Sequence, residues 1–293
     1  MRNQLIAAAC MAHSLAFASC PPAGVTPAQL TELRAAKWEL ADHARRQVLA
    51  VAMLDCLSDP DPVLRDERGF ESLQFWMRGG RLDPATLQTI RTALLARLRG
   101  PDAGGFGQPF AALVMAEVVR ADRIKPFMSE AERADVVRAA VAYVSSVRDY
   151  RGFDEKEGWR HGVAHGADML LQLSVHPTLT RADHLAILAA VTTQLSAPAA
   201  QVPPHFYRYG EGERLMAPVF YLARRSSLEA ADWEAWFATL APPPGAGTQA
   251  ALARRHNLKS FLMPLYVSLA ESSDAAQRAR VLPFVTKALK ALD

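Results

Sequence analysis

The sequence predicts an all-α protein, and three observations carry that expectation. Helix punctuation recurs along the chain: Thr26-Pro27, Asp61-Pro62 and Asp83-Pro84 each place a capping side chain before a proline suited to the first helical turn. Ser129-x-x-Glu132 and Ser226-x-x-Glu229 have the spacing of capping boxes, and Gly79-Gly80 and Gly100 follow apolar-periodic segments as stops. Strand signals are missing, since no useful length of chain alternates β-branched with polar residues.

Taken in order, these marks predict helices near 27–38, 39–58, 62–78, 84–99, 109–122, 130–148, 158–174, 181–194, 211–224, 228–240, 249–270 and 275–291. Most connections are short, so neighbouring helices are expected to pack as antiparallel hairpins. "DPDPVLRDE" (59–67) opens a helix in the manner of a HEAT-type repeat, yet no strict period follows. The expected architecture is an irregular HEAT-like or α/α stacked array. Three longer connections interrupt it, at 100–108, 196–210 and 241–249. The second carries His205, Phe206, Tyr207, Arg208 and Tyr209, and loops of such length are often functional.

Composition narrows the function classes. The 293 residues are 50% hydrophobic and 22% charged, ample for a large core. The net charge of +3 is spread without a basic block, which argues against a nucleic-acid partner. "ARRHNLK" (253–259), the densest basic stretch, reads as a solvated helix face. No Gly-rich nucleotide loop, nucleophile elbow or cysteine–metal knuckle is present.

The N-terminus resembles an export signal. Arg2 precedes an apolar run from Leu5 to Phe17, too short to span a bilayer but suited to a secretory core region. Residues 1–19 are expected to be a signal peptide and 20–293 a single helical domain; an amphipathic first helix or a misplaced start codon is the plainer alternative. Ala16-Phe17-Ala18 offers cleavage before Ser19, whereas Phe17-Ala18-Ser19-Cys20 resembles a bacterial lipobox that would place a lipid on Cys20. Under the lipobox reading the membrane is reached only through that lipid, and the protein resides in the bacterial cell envelope. Cys56 then remains as a small buried hydrophobe, with no disulfide framework expected.

The oddest stretch is "GWRHGVAHGADMLLQL" (158–173). On a helical wheel with His161 at zero, His165 falls at about +40°, Asp168 at about −20° and Gln172 at about +20°. Gly158, Gly162 and Gly166 form the adjoining stripe, and almost everything else is apolar. A helix apolar over most of its circumference is a buried one, so the polar stripe must find partners or face a cavity. Three readings follow: a satisfied structural network, a ligand pocket, or a metal or acid–base site. His-x3-His presents two imidazoles to one ion, and Asp168 would be a third ligand. Gly162 stands where a zincin needs its glutamate, which excludes that family. Arg151 and Asp154 are placed at the pocket mouth, Trp159 beside it, and Glu211 and Arg214 at the start of a later helix that would complete the site. The acidic residues Asp154, Glu155 and Glu157 read as complementing the dipole of that helix, and Arg160 as a lone charge in its exposed first turn.

"RGFDEKEGWRHGVAHGADMLLQL", with "GEGERLMAPVFYLARR" and "HNLKSFLMPLY" downstream, resembles a bacterial family catalogued as domain of unknown function 2785, from about residue 60 to the C-terminus. The resemblance implies a compact all-helical domain with Trp159, His161, His165 and Asp168 as characteristic positions, and supplies no activity or cofactor. The functional expectation is an exported helical binding or scaffold domain with a polar pocket around residues 151–172. Its partner would be an unidentified small molecule or protein. The alternative is a metal-dependent or acid–base hydrolase of envelope material using His161, His165 and Asp168.

Overall fold

The structure is a computed structural model describing residues 20–225, 227–241 and 247–292. The expected signal segment 1–19, and Ser226 of one expected capping box, lie outside the described residues.

Twelve α-helices occur among the described residues: α1 (Pro27–Ala35), α2 (His43–Ala52), α3 (Glu71–Arg78), α4 (Pro84–Arg99), α5 (Gly107–Ile124), α6 (Glu130–Ser146), α7 (Gly162–Ser174), α8 (Arg181–Ser196), α9 (Glu211–Leu222), α10 (Ala230–Thr239), α11 (Gln249–Ala270) and α12 (Ala275–Lys290). They stack in two layers. The odd helices α3, α5, α7, α9 and α11 pack each on the next, and α2, α4, α6, α8 and α10 do the same behind them. Hairpin contacts such as α4–α5, α6–α7 and α11–α12 join the layers. This is the stacked helical-hairpin array expected from the sequence. No described helix is long and apolar enough to cross a membrane.

Local chemistry sets the helix ends. Thr26 with Gln29, Ser129 with Glu132 and Thr180 with Asp183 form reciprocal capping boxes at α1, α6 and α8. Asp42 accepts from the Arg45 amide and starts α2 four residues later than the expected 39. Asp83 precedes Pro84 as expected, but its side chain turns to His43 Nε2 at 3.2 Å instead of capping α4.

The expected helix 62–78 is not uniform. Val63–Phe70 is π-helical and only Glu71–Arg78 is α. Within the wide turns Arg65 is wholly buried, its guanidinium over the Phe106 and Phe110 rings at 4.2 and 4.8 Å. Its Nη1 donates to the Asp59 carbonyl at 2.9 Å and its Nη2 to the Glu157 carbonyl at 2.8 Å. Burial lowers the Arg65 pKa and raises that of the adjacent Asp66.

Two cysteine expectations change. Cys20 and Cys56 are joined in a disulfide across 36 residues, tying the first described residue to the 3₁₀ stretch Met53–Ser58. A thioether-linked lipid on Cys20 would need the sulfur that this bond engages. Cys56 is buried, but as half of a disulfide and not as a free thiol.

Candidate functional site

The expected helix over 158–174 begins at Gly162. Phe153–Asp154 (β1) and Gly158–Trp159 (β2) pair antiparallel instead, with Phe153 opposite Trp159. Asp154 Oδ1 accepts from the Lys156 and Glu157 amides, each at 2.9 Å, and closes the turn between them. Asp154 and Glu157 therefore serve a hairpin and not a helix dipole. Arg65 holds the Glu157 carbonyl from below, and Gly158, at φ 71°, leaves no room for a side chain against Pro62. Arg160 is buried, unlike the exposed charge expected: it donates to the Gly104 carbonyl and to Glu157, and lies 4.1 Å over the Phe106 ring.

His161 is the N-cap of α7 and sits in the left-handed region at φ 55°. Its Nε2 is 3.0 Å from the Tyr209 carbonyl, and since a carbonyl only accepts, Nε2 carries the proton. Its ring stacks on Trp159 at 4.7 Å. Burial pushes its pKa down to about 4, so the ring is neutral near pH 7 and a weak base. His165 is buried with its ring edge-on to Phe110 at 5.0 Å. Desolvation holds it well below the ordinary histidine pKa, the Pro109 carbonyl opposing only weakly, and Nδ1 has no hydrogen-bond partner.

Asp168 makes a two-pronged pair with Arg214 of α9, Nε to Oδ1 at 2.9 Å and the terminal nitrogen to Oδ2. Burial nevertheless raises the Asp168 pKa above the usual carboxylate value. Gln172 accepts from Arg123 at 3.4 Å. Glu211 does not reach the histidines; it folds back to accept the Tyr209 amide at 2.8 Å, and burial raises its pKa. The glycine stripe serves close packing: a Cβ on Gly162 would stand 3.2 Å from the Tyr143 hydroxyl, and one on Gly166 would stand 2.7 Å from Val144 Cγ2, both on α6.

The expected metal set does not assemble. The His161 and His165 rings are 5.8 Å apart and edge-on, and the Asp168 carboxylate is engaged by Arg214. Among the described residues no three His, Cys, Asp or Glu side chains gather as metal ligands. The stripe joins α7 to the start of α9.

Open space lies one element earlier. A depression of about 640 Å³ runs between the hairpin and the loop 201–209. Of the expected site residues Arg151 and Asp154 line it; Trp159, His161, His165, Asp168, Gln172, Glu211 and Arg214 do not. A smaller hollow of about 100 Å³ shares Arg148, Asp149 and Arg160 with it. Arg151 is paired with Asp149 at 2.5 Å and Arg160 with Glu157 at 2.8 Å. Arg148 donates to the Ser145 and Val147 carbonyls and meets the Tyr150 hydroxyl, and Arg208 is exposed; neither has a carboxylate partner among the described residues. The 201–209 loop is fixed from behind, where Asn257 accepts the Tyr207 amide at 2.8 Å and donates to the His205 carbonyl at 3.1 Å. His205 in turn stacks on Tyr150 at 5.1 Å. Arg148, Asp149, Tyr150, Gly152 and Phe153 also line the depression and were not among the expected residues, whereas Gln201, His205, Arg208 and Tyr209 lie in the 196–210 connection that its length had marked. Their signal was a long loop rich in charged and aromatic residues.

No curated protein and no solved structure is significantly similar to the chain. A family described as protein of unknown function (DUF2785) matches residues 94–267, a span that contains the hairpin, the α7 stripe and the whole depression, and leaves α1–α3 outside. That match covers more than half of the sequence, and the chain belongs to the DUF2785 family.

Proposed function

We propose that the protein is an exported helical binding domain of the bacterial cell envelope whose ligand seat is the depression beneath the hairpin. The observation that carries the seat is that two arginines without carboxylate partners among the described residues, Arg148 and Arg208, line one open depression. Unneutralised arginines in a concave site favour an anionic group on the ligand. Export is supported by the apolar segment after Arg2 and by the Cys20–Cys56 bond, since disulfides persist in oxidising compartments such as the periplasm. That bond also favours the cut before Ser19, giving a soluble periplasmic form over a lipid-anchored one. The hydrolase alternative has less support, because His161 is a weak base and Asp168 is committed to Arg214.

Thermal melts with citrate as an anionic probe test the seat. Citrate should raise the melting temperature of the wild type and lose that effect in Arg208→Glu, whose own melting temperature stays near wild type because Arg208 is exposed. Equal citrate stabilisation of both proteins would contradict the proposal. In the same preparation the mature chain should show no lipid on Cys20 and no free thiol.

A further inference from the structure

We infer that the ligand is a saccharide bearing a carboxylate, its ring lying on the aromatic edge of the hairpin and its acid group on Arg148 and Arg208. This rests on reading the depression as the ligand seat, and it adds the ligand's chemical class. Phe153, Trp159 and Tyr209 are 48%, 36% and 37% exposed, and they are contiguous: Phe153 and Trp159 centroids lie 5.1 Å apart, Trp159 and Tyr209 5.8 Å. A contiguous group of exposed large aromatics marks a contact surface, whereas single ones do not. Phe153 and Tyr209 also line the depression, so the aromatic edge and the arginines address the same space.

The edge is built rigid. The Tyr209 ring lies over Gly152, where a Cβ would come within 2.0 Å of it. The Tyr209 carbonyl is held by His161 Nε2 and its amide by Glu211. From the other side Arg65 pins the hairpin through the Glu157 carbonyl. A surface fixed this way binds at little ordering cost.

A sugar ring offers a face of C–H bonds for such aromatics and a rim of hydroxyls that need both donors and acceptors. The depression supplies both, from Gln201 and the arginines on one hand and from Asp154 and Glu157 on the other. The same carboxylates argue against a nucleic-acid strand. Aromatics and arginines also stack and pair with single strands, but Asp149, Asp154 and Glu157 line this space and would repel a row of phosphates. A single carboxylate among hydroxyls matches the mixed lining.

Calorimetric titration with galacturonate, its methyl ester, acetate and an oligodeoxythymidine tests the inference on the wild type, Arg208→Ala and Phe153→Ala. Galacturonate should bind the wild type at least about tenfold more tightly than the ester, which loses the charge-assisted hydrogen bond, and than acetate, which lacks the ring. Each variant should weaken galacturonate binding by about tenfold while melting like the wild type. Equal binding of the ester overturns carboxylate recognition. Acetate binding as tightly as galacturonate, with no effect of Phe153→Ala, overturns the saccharide and leaves the anion seat standing. Tighter binding of the oligodeoxythymidine overturns it in favour of nucleic acid, and binding of none of the four overturns the saccharide and counts against the seat as well.

Discussion

The α7 stripe and the hairpin just before it carry the same kinds of residue and treat them in opposite ways. In α7 the polar groups are drawn inside and neutralised: His165 is buried and held uncharged, and Asp168 is matched to Arg214. On the hairpin side Arg148, Arg208, Phe153 and Tyr209 line an open depression, and neither arginine is matched to a carboxylate among the described residues. A polar stripe on an apolar helix is therefore weak evidence for a site, because the fold itself demands partners for it. Unspent charge and exposed aromatics on a fixed loop are stronger evidence, because the fold does not require them.

The largest expected effect that would sharpen this contrast is on acid stability. His161 has a folded pKa of about 4, below the usual 6.5. The unfolded chain therefore takes up this proton first, and stability falls as pH drops from about 6.5 to about 4. Integrated over that window the loss from this residue is about 3 kcal/mol at most. His165, also depressed, adds to it, while Asp168 and Glu211, whose pKa values burial raises, oppose it. Urea unfolding against pH should show a shallower loss for His161→Gln than for the wild type; identical slopes would mean that the ring is solvated, as the hairpin residues are.

A smaller effect tests packing. Gly166→Ala would drive a methyl against Val144 and Tyr143 and should cost about 1–3 kcal/mol in denaturant unfolding. Phe153→Ala on the hairpin edge should stay within about 0.5 kcal/mol of wild type. Comparable costs at both positions would erase the distinction between an interior stripe and a free edge.

Much of the fold was legible in the sequence because helix ends are written locally. Thr26 with Gln29 and Ser129 with Glu132 cap within four residues of chain, and α4, α6, α8 and α11 fall close to their expected limits. The hairpin was not legible. Two-residue strands show no periodicity, and the apolar run of α7 extrapolates backwards through Gly158 and Trp159 as if helical. What fixes the hairpin, Arg65 on the Glu157 carbonyl, acts across 92 residues. The same is true of the disulfide, whose Cys20 sits in a sequence that reads locally as a lipobox and whose partner lies 36 residues on. Of the expected site, the approach of the α9 start to the stripe was foreseen, with Arg214 meeting Asp168; the metal convergence of His161, His165 and Asp168 was not met. Spacing places side chains on one face, but only tertiary partners decide whether they are spent.

The proposed recognition surface is the hairpin and its facing loop, and not the stripe behind them. Amide hydrogen exchange of the wild-type protein with and without galacturonate distinguishes the two places. Protection gained at residues 148–160 and 201–209, with residues 165–172 unchanged, is the predicted result; protection confined to 165–172, or gained at neither place, would contradict it.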